Sequence, residues 1–330
     1  MAPTRRLGLL GDVMLGRLVD ERQRWLPPET VWGDCRSRLT DLDGLVCNLE
    51  CCLSTNGMPW TKTYRPFHFR ADPMWAIPAL TAAGVSAVSL ANNHVMDFGP
   101  TALGDTLDHL DAARIAHAGA GRNLDTALDP AVFALNGVRV AMVSFTDNTP
   151  EYAADHDKYG TALIEVDPRH GPTRIRVREV LARARQWNPQ LLVAALHWGP
   201  NMTTSPPDHF VAFAHWLVDE GVDIVYGHSA HLFHGVEVYE DGLILYDTGD
   251  FVDDYAVDSH LHNDHGFIFE VTLTPEGLSQ LRCSPTEIYD FSVHIARPEA
   301  ATWCRETMRD RSAPFDTEFE RDGEDLVLAL

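Results

Sequence analysis

Alternation of apolar, strand-like segments with segments of helical spacing is the feature that most limits the fold of this chain. Short apolar runs at residues 7–10, 85–90 and 191–196 are separated by helical patterns such as those at 100–114 and 208–220. Continuous apolar runs are typical of parallel strands that are buried on both faces. The alternation therefore predicts βαβ units, and further strand-like runs after residue 236 predict added antiparallel pairing.

The domain organisation follows from what interrupts this pattern. The sequence contains no internal repeat and no low-complexity linker. We therefore expect a single α/β domain over residues 1–297, followed by a C-terminal helix and an acidic tail over residues 298–330 that either pack on the domain or trail from it. The acidic composition of the end predicts disorder after the helix. The hydrophobic fraction of 45% is sufficient for a full core.

Charge and hydropathy exclude several classes of partner. The chain has 26 Lys and Arg against 48 Asp and Glu, a net charge of −22. An acidic surface repels polyanions, so no nucleic-acid partner is expected. There is no run of about 18 apolar residues, so no membrane partner is expected. The apolar run after Arg5 and Arg6 is short and is interrupted by Asp12, which argues against a signal peptide and for a cytoplasmic location. The six cysteines lack a CxxC spacing and are expected to be reduced.

Five predicted strands end in side chains of the types that bind metals. These side chains are Asp12, Asn48 with Glu50, Asn93 with His94, His197 and His228. In α/β sheets, ligands collect beyond the carboxyl ends of the strands. One such histidine is usually a cap or a satisfied core residue, but that explanation is hard to extend to five strand ends. Imidazole, carboxylate and amide groups together suit a divalent cation.

Six motifs in order carry a resemblance to a known family. They are Gly11-Asp12-Val13-Met14-Leu15-Gly16-Arg17, Asn48-Leu49-Glu50, Ala91-Asn92-Asn93-His94 through Asp97, His197-Trp198-Gly199, Gly227-His228-Ser229-Ala230-His231 and Tyr246-Asp247-Thr248-Gly249-Asp250. Over about residues 7 to 272 the chain resembles the CapA (poly-γ-glutamate synthesis) family, within the calcineurin-like metallophosphatase superfamily. The resemblance implies a calcineurin-like four-layer αββα sandwich with mixed sheets and a metal centre between the strand ends.

The resemblance also implies roles for individual residues. The implied metal ligands are Asp12, Glu50, Asn93, His197 and His228. His94 corresponds to the superfamily's general acid, and His231 to the last histidine of its Gly-His motif, with one extra spacer residue. The chain departs from the phosphatases at Met14, where they have a histidine, and at Asn48-Leu49-Glu50, which replaces their Gly-Asp-x-x-Asp. Both departures weaken the first metal position, so one ion is expected and two-metal phosphoester hydrolysis is disfavoured.

Two histidine–aspartate pairs are candidates for acid–base catalysis. Asp97 follows His94 by three residues and can either orient the histidine or cap the helix that begins near residues 99–100; the sequence favours neither role. The second pair is His231 with Asp250, although carboxylates in a loop are often only solvated. Two such pairs beside a metal would serve removal and return of an α-proton, with the ion stabilising enolate charge.

These features leave three hypotheses for function. The CapA-like group includes epimerases of lasso-peptide pathways, so the first is a metal-dependent peptide epimerase that inverts a Cα centre, such as that of a C-terminal residue. The second is a metal-dependent hydrolase of γ-glutamyl, other amide or phosphoester bonds, with the acidic net charge arguing against polyglutamate itself. The third is a non-catalytic member of the family, which retention of so many site residues disfavours.

The remaining expectations concern the substrate and the ion. A substrate carboxylate requires a cation, for which Lys62 and Arg65 are candidates along with Arg70. Trp198, with other aromatic residues, is a candidate wall of a pocket for an apolar side chain. Oxygen-rich coordination favours Ca²⁺ or Mn²⁺, whereas three histidines also suit Zn²⁺ or Fe²⁺. The sequence predicts no oligomeric state.

Overall fold

A computed structural model describes residues 4–330. The strands are β1 (Arg5–Val13), β2 (Gly44–Leu49), β3 (Cys52–Leu53), β4 (Arg70–Ala71), β5 (Val85–Ser89), β6 (Ala116–Ala118), β7 (Ala120–Gly121), β8 (Ala131–Leu135), β9 (Val138–Thr146), β10 (Gly160–Thr161), β11 (Leu191–His197), β12 (Ile224–His228), β13 (Val236–Tyr239), β14 (Gly242–Leu245), β15 (Asp250–Val252), β16 (His265–Thr274), β17 (Gly277–Tyr289), β18 (Ser292–Ile295), β19 (Glu320–Asp322) and β20 (Asp325–Ala329). The α-helices are α1 (Arg17–Gln23), α2 (Arg36–Thr40), α3 (Pro73–Ala83), α4 (Gly99–Ala113), α5 (Leu124–Ala127), α6 (Gly171–Arg185), α7 (Asp208–Asp219) and α8 (Pro298–Ser312), with 3₁₀ turns at Pro28–Cys35, Pro150–Tyr152 and Ala313–Phe315.

The strands form two mixed sheets and two short two-stranded pairs. The larger sheet has the order β19-β20-β17-β16-β1-β2-β5-β6, with β15 beside β1 and β18 beside β17. The smaller sheet has the order β13-β14-β12-β11-β9-β8. In the larger sheet β1, β2, β5 and β6 are parallel, and the other half, from β16 onwards, is antiparallel. In the smaller sheet the central strands are parallel, and antiparallel strands lie at both edges. The predicted combination of βαβ units with added antiparallel strands is confirmed.

Three buried apolar clusters show how the layers stack. Along β11, Leu191 and Val193 face the cluster between the two sheets, whereas Leu192 and Ala194 face the cluster beneath α6 and α7. A third cluster fills the space between the larger sheet and helices that include α3 and α4. Successive side chains of a strand point to opposite faces, so a run that is apolar throughout is buried on both sides. The result is the four-layer αββα sandwich that the sequence predicted.

The C-terminal segment is ordered, so the prediction of a disordered acidic end is wrong. Strand β20 pairs antiparallel with β17, and Leu326 and Leu328 are buried against the core between the sheets. The Asp325 carboxylate accepts hydrogen bonds from Arg38 and Arg282. The buried Leu326 and Leu328 belong to a short apolar run at residues 326–330 that follows the acidic residues, and the composition of the whole tail conceals this run.

Two further features concern membrane-spanning helices and the cysteines. Within residues 4–330, no helix has both the length and the apolar character that crossing a bilayer requires. The six cysteines of the described residues are unpaired and buried. Burial raises the pKa of the Cys51 thiol to about 12. These thiols are therefore core residues rather than nucleophiles.

Candidate metal centre

The carboxyl ends of parallel strands from both sheets meet at one place. In the larger sheet, Asp12 on β1 lies in register with Asn48 on β2 and with Asp250 on β15. In the smaller sheet, His197 on β11 lies in register with His228 on β12. The Asn48 Nδ2 atom lies 3.3 Å from His197 Nδ1, which joins the two sheets at the site. The predicted convergence of these strand ends is therefore present in the fold.

A close approach of two backbone segments places Asp250 beside Asp12. The Asp12 amide donates to the carbonyl oxygen of Gly249 at 2.8 Å. A Cβ atom at Gly11 would lie 2.0 Å from that same oxygen, and Gly249 has a φ of 67°. Only glycine fits at the first position, and glycine is favoured at the second. These two glycines therefore bring the carboxylates of β1 and β15 together.

Asp12 belongs to two overlapping groups of potential metal ligands. One group consists of Asp12, His197 and His228, and the other of Asp12, Glu50 and His231. Within each group, one candidate ligand atom from each residue lies within 4.8 Å of the others. Position 14, where the phosphatases have a histidine, contributes no ligand to the second group. The Met14 sulfur instead accepts a hydrogen bond from the Gly16 amide. The geometry therefore offers two adjacent cation positions that share one carboxylate, whereas the sequence led us to expect one ion.

The hydrogen-bonding inventory of the site supports a bound cation. Several buried oxygen and nitrogen atoms have no partner, namely Asp12 Oδ2, Glu50 Oε1, Asn93 Oδ1, His228 Nε2, Asp250 Oδ2 and Asp253 Oδ2. Buried polar atoms in folded proteins are nearly always paired. A divalent ion would bind such unpaired acceptor atoms and compensate for their missing hydrogen bonds. The residues present therefore fit such an ion.

The protonation behaviour of the carboxylates leads to the same conclusion. Burial would raise the pKa of Asp12, but the contact with His231 and the nearby His197 and His228 lower it to about 2. For Glu50, burial and the negative charge of Asp12 raise the pKa well above its usual value. Acidic groups are thus crowded in a place that water does not reach. A divalent cation would neutralise them and allow them to ionise together.

Two adjacent asparagines differ in their hydrogen bonding, and the difference identifies the potential ligand. The Asn92 side chain is fully used: its oxygen accepts from the amides of His94 and Val95, and its Nδ2 donates to Asn48 Oδ1 at 3.1 Å. The side-chain oxygen of Asn93 is buried and has no partner. Asn92 therefore positions the loop, and Asn93 is the residue free to bind a cation.

His94 and Asp97 form a buried dyad. The Nδ1 atom of His94 lies 2.6 Å from an Asp97 oxygen that also accepts from the Phe69 amide, and the His94 ring stacks on Phe69 at 3.7 Å. The other Asp97 oxygen accepts from the Tyr152 hydroxyl at 2.9 Å. No side chain caps α4, so Asp97 orients the histidine and is not the helix cap. Burial lowers the pKa of His94 and outweighs the opposing charge of Asp97.

His231, which follows β12, and Asp250, the first residue of β15, form a second dyad. His231 Nδ1 lies 2.8 Å from Asp250 Oδ1 and 3.5 Å from Asp12 Oδ2. Although burial lowers the pKa of His231, the charges of Asp250 and Glu50 raise it well above its usual value. His231 has a φ of 59°, a strained conformation of the kind that collects at functional sites.

Exposure separates the four histidines into two kinds. His94 and His231 are 9% and 8% exposed, whereas His197 and His228 are 1% and 0% exposed. The two inner histidines can serve only the centre itself. The two outer ones reach solvent, so His94 can exchange a proton with a substrate, and His231 can do so where it does not bind the ion.

An unpaired guanidinium lies beside the first dyad. The Arg65 group sits 4.5 Å above the ring of Tyr152, and its Nε and Nη2 atoms are buried without a partner. Lys62, the other predicted cation, is exposed and lies 5.0 Å from the ring of Trp60. Arg65 is therefore the better placed of the two to receive an anionic group of a substrate.

Trp198 does not line a substrate pocket, so its predicted role is wrong. Its ring stacks on Phe210 of α7 at 4.6 Å and is 3% exposed, and its Nε1 donates to the Tyr246 carbonyl at 2.9 Å. Trp198 follows His197 directly, and adjacent residues of an extended chain point to opposite faces. The histidine faces the site, and the tryptophan consequently belongs to the core beneath α7.

Four residues position the site and were not predicted to do so from the sequence. Tyr255 donates its hydroxyl to Glu50 Oε2 at 3.1 Å, and Tyr152 binds Asp97 as described. Asp247 accepts from the amides of Ala230 and Gly249 and so holds both site loops. Asp247 and Asn92 stand inside the recognised motifs, where the sequence offered a signal. The two tyrosines carry none, because only the fold brings them to the site.

Comparison with known proteins places the chain in a family. A family model described as bacterial capsule synthesis protein PGA_cap matches residues 6–255. A probable polyglutamine synthesis accessory protein of Mycobacterium tuberculosis is 30% identical, over 92% of this chain and 90% of that protein. The capsule biosynthesis protein CapA of Bacillus anthracis is 29% identical, over 74% of this chain and 59% of that protein. The PGA biosynthesis protein CapA of Bacillus subtilis is 26% identical, over 80% and 69%. The chain therefore belongs to the PGA_cap family of bacterial capsule synthesis proteins.

Proposed function

We propose that this chain is a divalent-metal-dependent enzyme that hydrolyses an amide bond in a peptide rich in carboxylates. The observation that carries this proposal is the position of Asp12, which is shared by two groups of buried potential ligands whose acceptor atoms lack partners. A shared carboxylate between two adjacent cation positions is a feature of hydrolytic two-metal sites. Hydrolysis therefore takes precedence over epimerisation, the first of the sequence-based hypotheses.

The metal-binding residues of the proposed enzyme are Asp12, Glu50, Asn93, His197, His228 and His231. Divalent ions held by these residues would supply Lewis acidity, which polarises a carbonyl oxygen and lowers the pKa of water. The residues around them supply the proton. Asp97 holds Nδ1 of His94, so Nε2 is the nitrogen that can deliver a proton to the leaving amine. Phe69, stacked on the His94 ring, keeps water away from that face.

Arg65 supports a substrate that carries a carboxylate. Its guanidinium has no acidic partner among residues 4–330, although the chain has 48 acidic residues. Paired donors of a guanidinium match the two oxygens of a carboxylate. The related proteins carry names from polyglutamine and PGA synthesis. A glutamyl peptide is therefore the substrate class that we propose.

A cavity of about 380 Å³ lies on the segment that follows Arg65 and has room for more of such a peptide. It is lined by Arg17, His68 and Arg70, and also by the acidic residues Asp20, Glu21 and Asp72. Arg17 is paired with Asp254, but Arg70 binds only a backbone carbonyl and the ring of Phe98. The net charge of −22 repels an acidic polymer at a distance. Local cations such as Arg65 and Arg70 are what would hold it at the site.

Epimerisation of a Cα centre is the second candidate. It is favoured by the two histidine–carboxylate dyads, whose histidines are the two partly exposed ones at the site. Removal of a proton by one group and its return by another requires such a pair. Hydrolysis requires only one of them.

One experiment separates the two reactions. The metal-loaded protein is incubated with α-linked and γ-linked glutamate oligomers in D₂O that contains H₂¹⁸O, and the products are examined by mass spectrometry and chiral chromatography. Shorter oligomers with one ¹⁸O in the new carboxyl group support hydrolysis. Intact oligomers with a deuterium at Cα and inverted chirality support epimerisation and overturn the hydrolytic proposal. The Asp12→Asn variant is the matched control for contaminating peptidases, because any activity it retains does not come from this site.

A further inference from the structure

A second cluster of metal-binding side chains lies outside the centre at Asp12. It is formed by His262 and Asp264, at the end of the loop after β15, and His265, the first residue of β16. The His265 amide donates to the His262 carbonyl at 3.0 Å, and His262 has a φ of 50°. This tight turn stacks the two imidazole rings 4.7 Å apart with their planes 3° from parallel. The spacing of His262, Asp264 and His265 along the chain does not by itself indicate this arrangement.

The three side chains face one another without forming hydrogen bonds. His262 Nδ1 lies 4.0 Å from Asp264 Oδ1, and His265 Nε2 lies 3.9 Å from Asp264 Oδ2. Both separations exceed the limit for a hydrogen bond. Ligands about 2.1 Å from a tetrahedral ion lie about 3.4 Å from one another, so only a small closure is needed. The separations from Asp264 are thus close to those of ligands around one ion, and the two stacked rings would turn out of parallel to bind it, because an imidazole binds a metal in its own plane.

The unmet hydrogen-bonding capacity of the cluster points to a ligand. Asp264 Oδ1 and His265 Nδ1 are buried and have no partner. His265 is only 7% exposed, so its imidazole is a polar group taken out of water without compensation. Such groups in folded proteins are rare and usually mark an ion or a water. An ion would engage the free oxygen of Asp264.

The surrounding charges permit a cation. Arg297, a basic side chain whose charge acts on Asp264 and His265, is bound to Glu287, to which its Nε donates at 2.8 Å. This pairing leaves Asp264 as the uncompensated charge of the cluster. The indole of Trp303 on α8 closes one side, with ring centroids 4.8 Å and 5.2 Å from those of His262 and His265. The cluster is therefore partly shielded and open to solvent mainly at His262.

We propose that His262, Asp264 and His265 form an accessory site for a divalent ion of the zinc type. Two imidazoles with one carboxylate are a ligand set for Zn²⁺, and water fills the remaining position. The site closes the loop after β15, in which Tyr255 donates to Glu50 and Asp254 accepts from the Leu18 amide. The accessory ion fastens the loop that borders the centre at Asp12. This inference does not depend on the reaction proposed above.

Zinc titration of the full chain tests the site. The chelator-treated protein is titrated with Zn²⁺ against a chromophoric chelator, and the bound equivalents and affinities of the wild type are compared with those of Asp264→Asn and His262→Gln. We expect each variant to lose one equivalent, or to bind it at least 10-fold more weakly. Far-UV circular dichroism verifies that the variants are folded, and His262→Gln alters a side chain that is one-third exposed.

The Asp12→Asn variant separates the two sites. It should retain the equivalent that depends on Asp264, whereas the double variant Asp12→Asn with Asp264→Asn should not. Proteolysis within residues 253–264 should be slower in the presence of Zn²⁺ in the wild type and in Asp12→Asn, but not in Asp264→Asn. Equal stoichiometry and equal affinity in the wild type, Asp264→Asn and His262→Gln would overturn the proposal.

Discussion

The Nδ1 atoms of His197 and His228 lie 3.1 Å apart across two parallel strands. A neutral imidazole has one N–H group, so one ring must donate and the other must accept. Asn48 Nδ2 contacts His197 Nδ1, which makes that nitrogen the acceptor and His228 Nδ1 the donor, so His197 can bind a cation through Nδ1 only where the ion displaces these two donors. The lone pair of His228 then resides on Nε2, which is buried and has no partner. A cation is the group that would use this electron pair.

The first prediction concerns metal binding. Asp12→Asn preserves the shape of the side chain but removes the charge common to both ligand groups. We expect the affinity for divalent ions at this centre to fall by more than about 100-fold, since even outer-shell changes cost about 10–100-fold. Metal content after dialysis, measured by plasma mass spectrometry, checks this. Asp157→Asn, at an exposed position, serves as the control. Equal metal content at this centre in the wild type and Asp12→Asn would contradict the proposed ligand set.

The second prediction concerns the proton donor. His94→Gln removes the titratable nitrogen, and Asp97→Asn removes the group that orients it. We expect the first variant to lose about 10²–10⁴-fold in kcat and the second to lose activity to a smaller extent, because general acid catalysis contributes by that factor. Both variants should retain the bound metal. Full turnover by His94→Gln would show that the histidine moves no proton.

The third prediction concerns substrate recognition. Arg65→Gln should raise KM for a peptide with a free carboxylate by about 10–100-fold, because a hydrogen bond to a charged group contributes about 1.5–3 kcal/mol. The same variant should show little change with an amidated peptide. Lys62→Gln, which alters an exposed cation of the same segment, is the matched control. Equal effects of the two substitutions would argue against a specific role for Arg65.

The fold and the inner site could be predicted because both depend on patterns that are local in sequence. Apolar runs that alternate with helical spacing indicated the layers, and the strand ends indicated Asp12, His197 and His228. Contacts between distant segments could not be predicted. Tyr152 reaches Asp97 from a 3₁₀ turn 55 residues away, and no spacing rule connects them.

The direction of a side chain also could not be predicted from its neighbours in the sequence. Trp198 adjoins a site histidine in sequence, but the pleat of the extended chain turns it towards Phe210 and the core. Proximity in sequence to a ligand is thus poor evidence of proximity in space. The C-terminal strand was not predicted because its apolar run at residues 326–330 is short and follows a stretch of acidic residues, and composition averages over the two.

The fourth prediction follows from the position of Trp198. Trp198→Ala should destabilise the fold by about 3–5 kcal/mol, as is usual when a large aromatic residue is removed from a core. Trp25, which is 82% exposed, provides the matched control, and Trp25→Ala should change the free energy of unfolding by no more than about 0.5 kcal/mol. Urea denaturation measures both. An equally small effect at the two positions would show that Trp198 is not buried in the core.

The fifth prediction concerns pH and His234, whose Nε2 donates to the Thr203 carbonyl at 2.8 Å. Burial lowers the pKa of His234 to about 4, against about 6.5 in an unfolded chain. Between these values the unfolded chain binds the extra proton, so the free energy of unfolding falls as the pH drops from 6.5 to 4; above 6.5 this residue contributes no pH dependence. His234→Gln retains an amide donor but does not titrate. The stability of the wild type relative to this variant, measured by urea denaturation in the presence of a chelator, should therefore decrease by roughly 2–3 kcal/mol across that window. The comparison cancels the other histidines, because they are common to both proteins. Parallel pH profiles would show that His234 takes up its proton equally well in the folded and unfolded chains.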